Sequence, residues 1–150
     1  MEVRALTEAD AQAIATWRYP GRYSTYDVKE VITSDGGFWA VTEGVELVGY
    51  CCFGYEARVP GVDEEPGTLD IGYGMRPDLV GNRLGTTFVT AITEFALRTF
   101  PARRHRLLIL TWNHRSLKVA KKLGFEEHGI ASSDEGDFVI MLTTTSLRDT

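Results

Sequence analysis

Two periods of apolar positions run along this chain. The period of two comes first. Phe38 to Thr42 and Leu47 to Phe53 are rich in β-branched and aromatic residues, and a turn near Glu43–Gly44 separates them. That pattern predicts an antiparallel hairpin. Thr68 to Met75 ("TLDIGYGM") is the next strand, "RLLILTW" another, and "DFVIMLTT" the last, with "EVRAL" a short strand at the start. The helical period is clearest from Leu84 to Phe100, where Leu84, Phe88, Ile92, Phe95 and Thr99 recur on one face. Thr7 followed by Asp10 reads as a helix start, with Ala11, Ile14, Ala15 and Trp17 as its buried stripe. Val28 to Ile32 is expected to form a second short helix. "HRSLKVAKKLGF" is a third, stopped by a left-handed Gly124 with Phe125 just beyond it. "RYPGRYSTYDV" and "EARVPGVDEEPG" read as loops, and "ARRHR" at 102–106 as a solvated loop before a strand.

Strands and helices in that order predict one mixed α/β domain over residues 1–150. Residues 69–111 form a strand–helix–strand unit whose strands should pair in parallel. The carboxyl ends of such strands are where open α/β sheets bind ligands.

Composition narrows the class. The chain has 150 residues and a net charge of −5. No basic field invites nucleic acid or an anionic membrane. Cys51 and Cys52 are adjacent, so in a strand they face opposite ways and are badly placed to pair; two reduced thiols fit a cytoplasmic protein. "MEVRALTEAD" shows no secretory signal, and "LLIL" and "VIML" are too short to span a bilayer. His105, His114 and His128 show no metal-ligand spacing with the cysteines, and no metal is expected.

Gly72 and Gly74 sit at alternate positions inside a strand. Glycine weakens a strand, so a bulge, a ligand passing close, or a large neighbour packed above must explain them. "LVGNRLG" follows at 79–85. A helix opening near Gly81 or Asn82 would leave free N–H groups at its positive end, a ready anion site. By itself, two glycines before a helix is more often an ordinary turn.

The wider context favours a cofactor loop. "MRPDLVGNRLGTTF", followed about 30 residues later by "NHRSLKVAKKLGF", resembles the GNAT superfamily of acyl-CoA-dependent N-acetyltransferases. Met75-Arg76-Pro77 matches the family's strand exit. Val80-Gly81-Asn82-Arg83-Leu84-Gly85 matches the register of its pyrophosphate loop. Asn113 and Leu123-Gly124-Phe125 match its second motif. The motifs cover residues 68–126, and element order covers the whole chain. The chain departs from the family at Val80, where Gln or Arg is usual, and at Arg83, which replaces a glycine and fits only if its φ is negative. Ala120 stands where the family often has a tyrosine as general acid. Relatives resembling the ribosomal-protein acetyltransferases also lack that tyrosine and carry a serine early in the helix, as Ser116 does here.

The resemblance implies a mostly antiparallel mixed sheet, flanked by helices, with one parallel pair splayed to admit acetyl-CoA. Gly74, Met75, Val80, Gly81, Asn82, Arg83, Leu84, Gly85, Thr86 and Asn113 are then the expected cofactor contacts. Asn113 either touches the pantetheine arm or caps its helix. A backbone N–H freed by a bulge at Gly74 or Met75 would hold the thioester oxygen. Asp70 is the expected base, or else an ion-pair partner of a neighbouring Lys or Arg. Ser116 or Tyr73 would protonate the leaving thiolate, and Ser116 is equally well placed as an ordinary helix residue below an Asn113 cap. Trp17, Arg18, Tyr19, Tyr23 and Tyr26 would shape the acceptor pocket, or simply pack together. The expected activity is direct acetyl transfer from acetyl-CoA to a primary amine by a monomer or homodimer. The alternatives are a CoA-binding regulator of the same fold with weak catalysis, and an unrelated α/β domain for a phosphate-bearing ligand.

Overall fold

The computed structural model describes residues 1–145. Seven strands form one sheet: β1 (Glu2–Ala5), β2 (Phe38–Glu43), β3 (Glu46–Phe53), β4 (Thr68–Met75), β5 (Arg104–Leu110), β6 (Glu126–Ser133) and β7 (Gly136–Thr144). Three α-helices accompany them: α1 (Glu8–Ala15), α2 (Gly85–Thr99) and α3 (His114–Lys122). The strand order is β1-β2-β3-β4-β5-β7-β6. β4 and β5 pair in parallel; the other neighbours pair antiparallel. The mixed, mostly antiparallel sheet is therefore as expected.

Local chemistry explains the helix ends. Thr7 Oγ1 accepts from the Asp10 N–H, and an Asp10 carboxylate oxygen accepts from the Thr7 N–H, a reciprocal capping box. Asp10 also pairs with Arg4, which bonds both its oxygens, and the Arg4 hydrogen bond holds the Asp10 pKa down at about 2. At the end of α3, the Phe125 N–H reaches Ala120 O and the Gly124 N–H reaches Lys121 O, with Gly124 at φ 93°. That is a Schellman stop, and it drops Phe125 into the core.

The core lies in two parts. α2 turns Phe88, Val89, Ile92 and Ala96 inward, and α3 adds Leu117 and Ala120. They pack with Val41, Cys51, Ile71, Leu107, Val139 and Met141 from the sheet. A smaller cluster holds Ala11 and Ile14 of α1 with Leu6, Ile32 and Ala40. Cys51 joins the main core and Cys52 faces elsewhere; both are free and buried, and burial raises both thiol pKa values.

Three expectations fail. Residues 28–32 form no helix; the buried Ile32 and the packed Val28 anchor an irregular segment, and β-branched residues lose rotamer freedom in a helix. The supposed loop before them contains a 3₁₀ turn, Gly21–Tyr26. Arg104–Arg106 belong to β5 and not to a solvated loop, with His105 and Arg106 buried. β6 was not anticipated. It is an exposed edge strand, "EEHGIASS", bulged between Glu127 and Ile130, so it carries no apolar alternation to read. Among the described residues no helix is long and apolar enough to cross a membrane.

Candidate active site

β4 pairs with β5 only through Thr68↔Arg104, Leu69↔His105 and Asp70↔Arg106. Beyond Asp70 the two strands diverge, while β3 stays in continuous register with β4 up to Met75. No bulge interrupts that register, which corrects the expectation at Gly74 or Met75. The amides are freed by the missing neighbour instead. The Arg76 N–H bonds Val48 O on β3. With the two-residue alternation of a strand, Gly72 and Gly74 also turn their backbone groups to β3, whereas Tyr73 and Met75 turn theirs toward the gap. The Met75 carbonyl agrees: it accepts from the Tyr19 hydroxyl at 2.5 Å. Gly74 thus contributes no amide to the gap, and its missing side chain is explained by the Tyr50 ring packed over it. A side chain at Gly72 would meet Cys52 Sγ at 3.0 Å and Ala57 at 3.4 Å.

The gap is a cleft of about 120 Å³ lined by Tyr26, Ala57, Ile71, Gly72, Tyr73, Leu107, Leu108, Ile109 and Ser116. Two tyrosines line it. Ser116 lies beside Tyr73, and burial raises the Tyr73 pKa to about 12, so the phenol keeps its proton at neutral pH. Asn113 Nδ2 donates to the Tyr26 hydroxyl at 2.9 Å, while Asn113 Oδ1 accepts the Ser116 N–H as the helix cap. The Tyr26 pKa is also raised by burial. Both polar ends of Asn113 are therefore engaged within the protein. A larger hollow of about 250 Å³, lined by Arg104, Gly124, Glu126, His128 and the end of β7, contains none of these groups.

The loop after β4 leads to the start of α2. Arg76 braces its entry, with Nε on Asp78 at 2.7 Å and Nη1 on Glu46 at 3.1 Å and on Leu47 O at 2.9 Å. A 3₁₀ turn, Pro77–Leu79, follows. Gly81 then has φ 88° and Arg83 φ 62°. The expectation of a negative φ at Arg83 fails: this is the left-handed position where the family has glycine, and holding a non-glycine residue there costs about 1–2 kcal/mol. Leu84, next in line, is right-handed at φ −91°. A left-handed residue followed by a right-handed one turns consecutive N–H groups into a concavity that suits an anion. α2 begins only at Gly85, later than Gly81 or Asn82. Its first intrahelical bond is from Phe88 N–H to Leu84 O, leaving the Gly85, Thr86 and Thr87 amides without a backbone acceptor. A side chain at Gly85 would press on Val119 of α3 at 3.0 Å, so that glycine also sets how closely the two helices approach.

Asp70 is placed differently from a base. It is 2% exposed and locked between two guanidinium groups. Arg106 Nε holds Oδ1 at 2.6 Å and Arg106 Nη2 holds Oδ2 at 3.2 Å, while Arg58 Nε also reaches Oδ2 at 3.2 Å. Of the five residues expected around the acceptor, only Tyr26 lines the cleft. Tyr19 caps the strand exit. Trp17 packs on Tyr50, and Arg18 folds back onto the Ala15 and Trp17 carbonyls. Tyr23 stands edge-on to Trp112 at 5.1 Å. Sequence reasoning missed Arg106, Trp112 and the Arg76 brace. An arginine opening the apolar "RLLIL", opposite the one acidic residue of "TLDIGYGM", was the readable hint of the ion pair.

A mixed sheet opened at its parallel pair, beside a helix with free first amides, is the architecture of an acetyltransferase fold. Residues 1–126 match the family model described as an acetyltransferase (GNAT) domain, and the chain belongs to that family. Solved structures agree in fold. An aminoglycoside acetyltransferase AAC(6')-Ib in complex with coenzyme A has a TM-score of 0.80 at 21% identity, covering 97% of this chain and 95% of its own. A spermidine N-acetyltransferase chimera from Vibrio cholerae and hSSAT gives 0.71 at 13% identity, with 95% and 93% covered. A ribosomal-protein-alanine N-acetyltransferase from Brucella melitensis gives 0.70 at 18%, with 97% and 100% covered. No curated protein matches the sequence.

Proposed function

We propose that this protein transfers the acetyl group of acetyl-CoA to a primary amine by direct attack within a ternary complex. The carrying observation is the end of the β4–β5 ladder at Asp70, which leaves the rest of β4 without its β5 neighbour, beside a cleft that Tyr73 lines. The pantetheine arm would take the place of the missing strand neighbour. The concavity over Gly81 to Thr86 would hold the pyrophosphate through backbone amides, so Val80 and Arg83 need not match the family's side chains. The Met75 N–H, in the gap, would donate to the thioester oxygen as it gains charge; one such donor is worth roughly 10²–10³-fold in rate.

The amine nitrogen attacks the carbonyl carbon, the C–S bond breaks, and the thiolate takes a proton. Tyr73, neutral and beside Ser116, is the donor in the cleft. Ala120 cannot serve: its methyl side chain has no proton to give. Asp70 acts as a strut, because both its oxygens are committed to Arg106 and Arg58. The amine therefore loses its proton to solvent, and turnover should rise with pH toward the amine's own pKa, about 10.4 for an alkylamine. Relatives of this shape are named for aminoglycoside, spermidine and protein-alanine acetylation, so the fold selects an amine without selecting which one.

Titration calorimetry with CoA, together with acetyl-CoA-dependent thiol release over a panel of amines, peptides and aminoglycosides, tests the proposal. CoA binding with amine-dependent thiol release supports it. CoA binding with no turnover favours a CoA-binding regulator, the reading that Ala120 motivates. Absence of CoA binding overturns both.

A further inference from the structure

Positive charge collects around the loop in a way the chain itself does not neutralise. Arg115 lies in the first turn of α3, the positive end of that helix, and neither α2 nor α3 has an acidic residue in its first turn. Among the described residues Arg115 makes no ion pair; the carboxylates in ion pairs are Asp10, Glu43, Glu46, Glu64, Asp70, Asp78 and Glu127. Its guanidinium lies against Gly81 instead. A Cβ built at Gly81 would sit 3.8 Å from Arg115 Cζ and 3.9 Å from both terminal nitrogens. The guanidinium also lies over the Tyr23 ring, 5.2 Å from its centre. Tyr23 is fixed in turn by Trp112, whose own ring carries Arg22 at 4.2 Å. In a chain of net charge −5, an arginine at a helix N-terminus, unpaired and steadied by an aromatic face, is arranged for an anion that arrives from outside.

We propose that Arg115 is a phosphate-binding residue for CoA, and that Tyr23 is its positioning residue. This rests on the proposed acetyl-CoA reading of the loop. It also moves Tyr23 from the acceptor side, where the sequence placed it, to the cofactor side. The guanidinium lies in van der Waals range of the loop at Gly81, and its planar fork presents paired donors that a lysine ammonium does not. The 3₁₀ turn Gly21–Tyr26 would then serve both ends of the cofactor, Tyr23 steadying the phosphate-binding arginine and Tyr26 lining the thioester cleft.

Calorimetry with CoA, 3′-dephospho-CoA and pantetheine separates the outcomes. Arg115→Ala should weaken CoA roughly tenfold, the scale of one charge-assisted hydrogen bond at an exposed site. It should leave pantetheine, which has no such phosphates, unchanged. Arg115→Lys should recover part of the loss. Tyr23→Leu should weaken CoA in the same direction by a smaller factor, again without changing pantetheine. If Arg115→Ala acts on CoA but not on 3′-dephospho-CoA, the contact is the 3′-phosphate; if it acts on both, the contact is the pyrophosphate. Unchanged CoA affinity in Arg115→Ala, or an equal loss for CoA and pantetheine, overturns the assignment. If the wild-type chain binds no CoA, it is the acetyl-CoA reading that fails first.

Discussion

The two halves of β4 lie a few residues apart and do opposite things. At Thr68 to Asp70 the strand is laddered to β5 and closed by a buried ion pair. From Ile71 to Met75 it is laddered to β3 alone, with no β5 neighbour on its other side. The first half is filled and neutralised; the second leaves backbone groups for a guest. Asp70 and Arg106 stand at the boundary, so their pairing fixes where the strands part. The difference teaches that an acidic residue in the motif strand of an acetyltransferase fold is not thereby a base. What its oxygens already hold decides its role.

Breaking the closed half should have the largest effect. Asp70→Ala leaves Arg106 buried without its carboxylate, a change that costs about 3–5 kcal/mol. For a chain of this size that is a fall in Tm of roughly 10 °C, readable by thermal denaturation. Replacing the pair together, Asp70→Leu with Arg106→Met, should restore much of the stability. It should also retain turnover, measured by thiol release from the folded protein. A catalytic Asp70 would not be rescued in that way.

Altering the open half should change rate with little change in stability. Tyr73→Phe removes the hydroxyl proposed to protonate the thiolate, and kcat should fall about 10²-fold, with CoA affinity from calorimetry unchanged. An unchanged kcat would pass the proton donor's role to another group. In the wild type, kcat should climb with pH and not fall again until Tyr73 ionises near 12.

Away from β4, Asp10 provides a pH control. Its folded pKa is lowered to about 2 from 3.8 by Arg4, so its contribution is complete above pH 4 and is lost as pH falls toward 2. Asp10→Asn should flatten the stability curve in that window without altering CoA binding. The smallest effect is expected at Arg83→Gly, which relieves the left-handed strain and should stabilise by about 1 kcal/mol in denaturant titration. CoA affinity should survive, because the backbone path is kept.

Much of this was legible. β4 runs over the residues its pattern marks, and the capped, glycine-stopped α3 follows from Asn113 and Gly124. Both are local devices with local signatures. The unread parts depend on partners distant in sequence. β6 is polar because it lies at an edge, so no alternation marks it. Residues 28–32 look helical until Ile32 is seen to be claimed by a core cluster. Gly74 is a glycine because of Tyr50, 24 positions earlier in the chain, and Asp70 is held in an ion pair by Arg106, 36 positions later. The loop motif marked the loop proposed to hold the cofactor but not its geometry: Arg83 adopts the very φ that its identity argued against.

The central claim is that the open half of β4 presents a thioester to an amine. Mass spectrometry of amines incubated with the protein and acetyl-CoA tests it most directly, with free thiol counted in parallel. The account predicts an N-acetylated amine, one thiol released for each acetyl group transferred, and loss of both in Tyr73→Phe far beyond any loss of CoA binding. Thiol released without an acetylated amine, or full product formation in Tyr73→Phe, would contradict it.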